Sequence, residues 1–384
     1  MTVAIHAAWS PGEVRVAVVD DGILIDYAIW RPGAPDGTGD VHRGRVIANV
    51  PAMAGAFVAL DGAEGFLPDS EGAKGLPSGA IVTVRVTRAA QSGKGPRLST
   101  RHADAEAGPM GLLRRGIDPL REIAARFPGT PVYVDDPALA ASLRASLTDR
   151  LLRVPRAFDD AIEADVEALG EPVLGLDSGA RISFHPTPAL VAIDVDGGGA
   201  LTGRAARHGA INRAVVPILA RQIRLRNLSG AILADLAGMR VKHRVSLTRD
   251  LTDALAADPL RPRFLGFTAL GLAEIARPRV RPPLHELLAG PRAAGLAALR
   301  ALAAASWADP GRQPILRAAP QVAGALRDDP VALPDLARIA GYGLTLRSDP
   351  SLSADRWIIE TAHGQGPPLP DLRPCPDGGQ PPVL

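Results

Sequence analysis

Two aspartates, Asp194 and Asp196, close the run "ALVAIDVDGG" (residues 189–198), and a third, Asp235, closes "GAILAD" (residues 230–235). Each run is short, apolar and bounded by glycine, which reads as a buried strand. A helical stretch, "RHGAINRAVVPILARQIRLRNL", separates them. Strand, helix, strand is a βαβ unit with parallel strands, and open parallel sheets bind ligands at the carboxyl ends of their strands. If the two strands are neighbours, Asp194 and Asp235 stand side by side, about 5 Å apart. Asp196 shares a face with Asp194 because strand side chains alternate. Converging carboxylates repel one another and require a cation, a proton or an arginine. A hard divalent ion with oxygen ligands, Mg²⁺ or Mn²⁺, suits them. The alternative is structural: one aspartate caps the helix and the other pairs with an arginine.

Other chemistries find less support. The glycines after Asp196 give GxGxxxG, not the dinucleotide GxGxxG, and the expected acidic residue downstream is missing. There is no GxSxG elbow and no HExxH. "QSGKGPRLST" places Lys94 and Arg97 in a glycine-rich turn without P-loop spacing. Cationic clusters flank the acidic strands: Arg221, Arg224 and Arg226; Arg240, Lys242, His243 and Arg244; Arg277, Arg279 and Arg281. Lining a groove, they would draw a polyanion; as solvated faces they would mean nothing. Phe57 and Phe66 sit in short strands near basic residues, where they serve either as core or as stacking surfaces for bases.

The elements that must position these residues form an α/β chain (α+β, multidomain). "EVRVAVVDDGILIDYAIW" is a hairpin turning at Asp21-Gly22. Five short strands between residues 41 and 100 suit a small OB-type barrel. "DPLREIAARF", "DPALAASLRASLTDRLL" and "DDAIEADVEALG" read as helices, with "TPVYVDD" a strand, and "LGLDSGARISFHP" as a hairpin. Residues 245–257 form another helix, and "RFLGFTALGLAEIARPRVRPPL" mixes strand and helix. An alanine-rich helical stretch follows, then helix "LPDLARIA" and strands near "GLTLRS" and "RWIIET". The Pro- and Gly-rich residues 364–384 read as disordered.

Composition bounds the rest. At 384 residues the chain exceeds one ordinary core. Aromatics make up only 4%, so the interior must be aliphatic. Nearly all positive charge is arginine; lysine occurs only at positions 74, 94 and 242. That bias reflects either base composition or phosphate contact. One cysteine, Cys375, excludes an internal disulfide. With neither an apolar run long enough to span a bilayer nor a signal pattern, the expectation is a soluble cytoplasmic protein without membrane partners.

Several segments together resemble the ribonuclease E/G family. "EVRVAVVDDGILIDYAIW" and "HRGRVIANVPAMAGAFVALDGAEGFLP" resemble its amino-terminal hairpin and inserted RNA-binding OB domain, and "VRVTRAAQSGKGPRLST" the end of that domain. "LDSGARISFHPTPALVAIDVD" and "LARQIRLRNLSGAILADLAGM" resemble the segments that deliver two catalytic aspartates, and "LGLAEIARPRVRPPL" the end of the catalytic subdomain. The resemblance implies a ribonuclease H-like subdomain (1–35 and 103–175) split by an OB domain (36–102). A DNase I-like catalytic subdomain (176–288) and a small α/β domain (289–363) follow. It implies a Mg²⁺-dependent endoribonuclease acting on single-stranded RNA, leaving 5′-phosphate and 3′-hydroxyl ends. Asp194 and Asp235 become the metal ligands, joined by Asp196. Phe57, Phe66 and Lys94, with Arg97, become RNA contacts, and Arg224, Arg226, Lys242 and Arg244 complete the basic surface.

Four departures stand out. The module that senses a 5′-monophosphate is missing between the OB block and "DPLREI". Asp196 stands where the family has Asn. "GGG" (197–199) replaces Ser-x-Arg. The zinc-binding cysteine pair is missing; "CPDGGQP" keeps one thiol, so zinc and a zinc-linked tetramer are not expected, although a homodimer is compatible. The competing readings are an RNA-binding protein with weak or lost catalysis, and an unrelated metal-dependent phosphatase.

Overall fold

The structure is a computed structural model that describes residues 3–101, 103, 108–198, 205–308, 314–341 and 343–361. Strands are β1 (Val3–Ser10), β2 (Glu13–Asp20), β3 (Ile23–Trp30), β4 (Val41–Val50), β5 (Gly55–Ala59), β6 (Glu64–Pro68), β7 (Ile81–Arg88), β8 (Arg97–Ser99), β9 (Gly111–Arg114), β10 (Val132–Val134), β11 (Leu151–Arg153), β12 (Val173–Gly175), β13 (Arg181–Pro186), β14 (Val191–Asp196), β15 (Gly230–Asp235), β16 (Arg263–Phe267), β17 (Ala273–Arg277), β18 (Pro314–Ala318), β19 (Thr345–Ser348) and β20 (Trp357–Thr361). Helices are α1 (Pro119–Arg126), α2 (Pro137–Leu147), α3 (Asp160–Ala168), α4 (Ala205–Leu225), α5 (Val241–Arg244), α6 (Thr248–Ala256), α7 (Leu284–Leu287), α8 (Gly290–Ala308), α9 (Pro320–Arg327) and α10 (Ala332–Ala340). The chain divides into two compact units, one of residues 1–9 and 13–288, the other of residues 10–12 and 289–384.

The first unit holds three sheets. The amino-terminal sheet runs β11-β10-β1-β2-β3. One of its faces packs α1 and α2 through Leu120, Ile123, Leu139 and Leu143. Ala17 and Tyr27 pack with Phe158 and with Ile162 and Val166 of α3 in a separate cluster that also takes Leu225. The predicted hairpin is present as β2–β3. "LLR" (151–153) is a strand, not the continuation of α2: it pairs parallel to β10.

The second sheet is the barrel. Its order is β5-β6-β8-β7-β4, and a further β4–β5 pairing closes the ring. All five strands expected from sequence are present. Their inward positions, Val46, Ala56, Val58, Leu67, Val84, Val86 and Leu98, form its core. The sheet runs past the expected boundary at 102, because β9 pairs with the outer edge of β4.

The third sheet runs β12-β13-β14-β15-β17-β16. The strands β14 and β15 are parallel, as the βαβ reading requires. Ile193 and Val195 of β14, Ile232 and Ala234 of β15, and Val215, Val216, Leu219 and Ile223 of α4 form one buried cluster with Leu251 and Leu255 of α6. That burial fixes which side chains face outward. A one-residue slip of β14 would bury Asp194 and Asp196 and expose two aliphatic side chains, each worth about 1.5–3 kcal/mol when buried. The stretch 263–284 contains two antiparallel strands, β16 and β17, and its helical part is limited to Leu284, which opens α7. Its alternation was obscured by Gly266, where the ladder shifts register.

The second unit is a three-stranded sheet, β19-β18-β20, with β18 parallel to β19 and antiparallel to β20. Leu296, Leu299 and Leu302 of α8 pack on Leu316, Val322, Leu326 and Leu336. The strand β18 and helix α9 are additional to the elements expected here. The expected disordered tail, with Cys375, lies outside the described residues.

Candidate active site and nucleic-acid interface

Asp194 and Asp235 are direct cross-strand partners in the parallel β14–β15 register. Both belong to the sheet face opposite α4 and α6, where Asp194 is exposed and Asp235 half-buried. Asp196 lies two residues along on the same face, opposite Arg181 of β13, while Ser183 lies opposite Asp194. Arg181 is exposed on this face and supplies a cation that motif reading did not single out.

The three aspartates have different surroundings. Asp235 accepts a 2.7 Å charge-assisted hydrogen bond at Oδ1 from the Arg244 guanidinium. Arg244 is itself buried, and donates also to the carbonyls of Met239 (2.9 Å) and Gly271 (2.8 Å). It therefore anchors the Asp235 carboxylate to the loop after β15 and to the β16–β17 hairpin. From the other side Asn212 of α4, wholly buried, donates to the Ala237 carbonyl at 3.0 Å. Asp196 Oδ1 accepts from the Gly198 amide at 3.0 Å, a local turn within its own loop. Gly198 has φ +59°, and a Cβ there would collide with the Gly179 carbonyl oxygen, so glycine is required at this point of the "GGG" run. Gly199 lies outside the described residues.

The donor chemistry fits a hard divalent cation: two in-register carboxylates on an open face, with oxygen ligands only. Among the described residues no group of three or more His, Cys, Asp or Glu is arranged to hold a metal. Asp194 and Asp235 are thus brought together, and Asp196 stands one step aside.

The basic residues divide. Arg224 donates to the Ile25 carbonyl (2.9 Å) and the Ala257 carbonyl (3.0 Å), tying α4 to β3. Burial pushes its guanidinium below the ordinary range, with Asp26 and Asp258 opposing. Arg226 is buried against the Phe184 ring, 4.2 Å from its centroid, and donates to Gln222 and to the carbonyls of Ala168, Leu169 and Glu171. Burial pushes it down to about 10. Arg277 pairs with buried Asp258, and Arg281 with Asp36 and Glu122. Arg224, Arg226 and Arg244 are therefore engaged inside the protein, and they do not form an outward basic surface. Lys242 of α5 is exposed, close in sequence to Arg244.

The barrel presents a different surface. Phe57 and Phe66 are cross-strand partners on β5 and β6, both half-buried, on positions that alternate with the barrel core. Their rings meet edge to face, centroids 5.5 Å apart. Phe66 lies opposite Arg97 on β8. Lys94 is exposed at a tight turn in which Gln91 and Lys94 exchange backbone hydrogen bonds. That turn is held by Glu286 of α7, which accepts from the Ser92 amide (3.0 Å) and hydroxyl (2.9 Å). Sequence reading missed Glu286, because a lone acid in a short helix carries no local signal.

The fold and site define an α/β protein with paired carboxylates on an open sheet face and a closed barrel carrying an aromatic pair beside basic residues. Residues 146–280, which contain the carboxylate sheet up to β17, match the model of the Ribonuclease E/G family. The chain is similar to ribonuclease E of Nostoc sp. (34% identity over 129 residues, 33% of this chain and 19% of that protein). It is similar to ribonuclease G of Haemophilus influenzae (30% over 130 residues, 33% and 26%) and of Escherichia coli K12 (31% over 130 residues, 33% and 27%). The matched region thus spans about a fifth to a quarter of the length of these relatives. Over residues 146–280 the chain is therefore similar to the ribonuclease E/G family. Among the described residues no helix is long and apolar enough to cross a membrane.

Proposed function

We propose that the protein is an endoribonuclease of single-stranded RNA whose chemistry centres on Asp194 and Asp235. The observation that carries this reading is the pairing of those two residues in the β14–β15 register, within the segment that matches the family. The two carboxylates would hold Mg²⁺ or Mn²⁺, which when bound supplies Lewis-acid neutralisation of the scissile phosphate. Arg244 holds Asp235 in position through Oδ1. The half-buried rings of Phe57 and Phe66 offer faces on which bases stack, and Lys94 and Arg97 offer cations to the backbone. Stacking tolerates any base, which suits a single strand rather than a duplex. Cleavage by hydrolysis would leave a 5′-phosphate and a 3′-hydroxyl.

The test is incubation of the purified chain with end-labelled unstructured RNA, with Mg²⁺ and with EDTA. Metal-dependent internal cleavage, with 5′-phosphate on the downstream product, is the expected result. Comparable rates on 5′-monophosphate and 5′-hydroxyl RNA are expected, since the segment between β8 and α1 is short. The second reading, RNA binding with lost catalysis, draws on the Asp196 turn and the glycines beside the site. It predicts retention of RNA through Phe57, Phe66 and Lys94 with no cleavage under any metal.

A further inference from the structure

Three arginines meet where the barrel joins the carboxylate sheet. Arg88 ends β7 and lies opposite Arg97 of β8. The Ala89 amide donates to the Val280 carbonyl at 2.8 Å, which sets Arg88 next to Arg279, just past β17. The Arg279 guanidinium lies over Gly230, the first residue of β15, where φ is +87° and a Cβ would strike it. Arg88 and Arg97 come from the barrel, and Arg279 comes from the segment that leaves the carboxylate sheet.

Among the described residues none of the three has a carboxylate partner, although the neighbouring Arg277 and Arg281 are both paired with acids. The Arg88 Nε is buried and meets no acceptor. Burial, then the charges of Arg97 and Arg279, push the Arg88 guanidinium below its ordinary range. Three like charges with an unsatisfied buried donor are unfavourable unless an anion joins them. Planar guanidinium forks match phosphate oxygens.

We infer that Arg88, Arg97 and Arg279 form a phosphate-binding site for one backbone phosphate of single-stranded RNA, bridging the barrel to the carboxylate sheet. This rests on the reading of the barrel as an RNA platform. The register supports continuity: Phe57, Phe66, Arg97 and Arg88 follow one another across β5, β6, β8 and β7. Neighbouring strands lie about 4.8 Å apart. A base stacked at Phe66 therefore has its phosphate within reach of the adjacent arginines. Because Arg279 belongs to the other sheet's exit, a phosphate held there also fixes the direction in which the strand leaves the barrel.

The experiment measures binding of a fluorescent single-stranded RNA to the full chain in EDTA, across a series of KCl concentrations. Variants are Arg88→Gln, Arg97→Gln, Arg279→Gln and Phe57→Ala, each checked by thermal melting. Each arginine variant is expected to weaken binding on the order of fivefold and to lower the log–log salt slope by up to about 0.7, the value for one single-strand phosphate contact. Phe57→Ala is expected to weaken binding with the slope unchanged. The half-exposed Arg97 keeps the test valid if Arg88→Gln does not fold. If Phe57→Ala weakens binding while the arginine variants alter neither affinity nor slope, the phosphate site is overturned and the platform reading stands. An effect of Arg88 and Arg97 without Arg279 overturns the bridge. Wild-type protein that binds no RNA overturns both.

Discussion

Replacing Arg244 by alanine should damage stability and the carboxylate site together. Its guanidinium is buried and makes three bonds: to Asp235 Oδ1, to the Met239 carbonyl and to the Gly271 carbonyl. A hydrogen bond to a charged group contributes about 1.5–3 kcal/mol. The Asp235 side chain is 51% exposed, so solvent screening reduces that contribution to about 0.5–1 kcal/mol. The two carbonyls lose a buried donor, and water entering the vacated space recovers part of that, leaving about 1–2 kcal/mol. The sum, about 1.5–3 kcal/mol, corresponds to a fall in melting temperature of roughly 3–6 °C for a unit of this size. Arg244→Lys keeps the charge but cannot serve all three acceptors in one plane, so it should fall between. The assays are differential scanning calorimetry and RNA cleavage at a temperature where both variants remain folded. Cleavage by Arg244→Ala should drop on the order of tenfold or more, because Asp235 loses its fixed orientation. An alanine variant that melts with wild type and cleaves at the wild-type rate would refute the assignment of Arg244 as the residue that holds Asp235.

Three further outcomes follow from the same contacts. Gly198→Ala forces a left-handed non-glycine residue against the Gly179 carbonyl; a loss of about 1–3 kcal/mol is expected in urea unfolding, and a neutral result would contradict the loop geometry. Arg226→Met removes a buried cation that serves Gln222 and three carbonyls, and should cost about 3 kcal/mol in the same assay while RNA affinity at permissive temperature stays unchanged. Burial lowers His42 and His285 below the ordinary 6.5, opposed by Asp40 and Asp61 at His42, where Arg115 assists, and by Glu286 at His285. The unfolded chain thus takes up these protons first. Their contribution is complete above 6.5 and is lost as pH falls toward and through the lowered folded values. The urea midpoint should drop as pH falls below about 6.5, and His42→Gln with His285→Gln should flatten that slope.

The elements that carry the carboxylates could be read from the chain because their alternation is strong. Burial of Ile193 and Val195 against α4 forces Asp194 outward, and the same logic placed Asp235. The barrel strands were readable for the same reason, and alternation with Ala56, Val58 and Leu67 puts Phe57 and Phe66 outside the barrel core. What could not be read was partnership. Arg224, Arg226 and Arg244 have the composition of a basic surface, yet their acceptors are carbonyls and a carboxylate contributed by other elements, up to 199 residues away for Arg224 and Ile25. Local sequence carries no record of such contacts. The β9 strand and the β18–α9 pair were missed because each is short and draws its stability from pairing elsewhere. The turn at Asp196 could not be read either: it shares the face of Asp194, and its Oδ1 accepts from the Gly198 amide.

The decisive measurement is single-turnover cleavage of unstructured RNA in Mg²⁺ by wild type, Asp194→Asn and Asp235→Asn, with folding of each verified by melting. The paired-carboxylate site predicts rapid metal-dependent cleavage by wild type and loss of at least about a hundredfold, on the order of 2.7 kcal/mol in the barrier, in each variant. Folded variants that cleave at the wild-type rate in the same metal would contradict it.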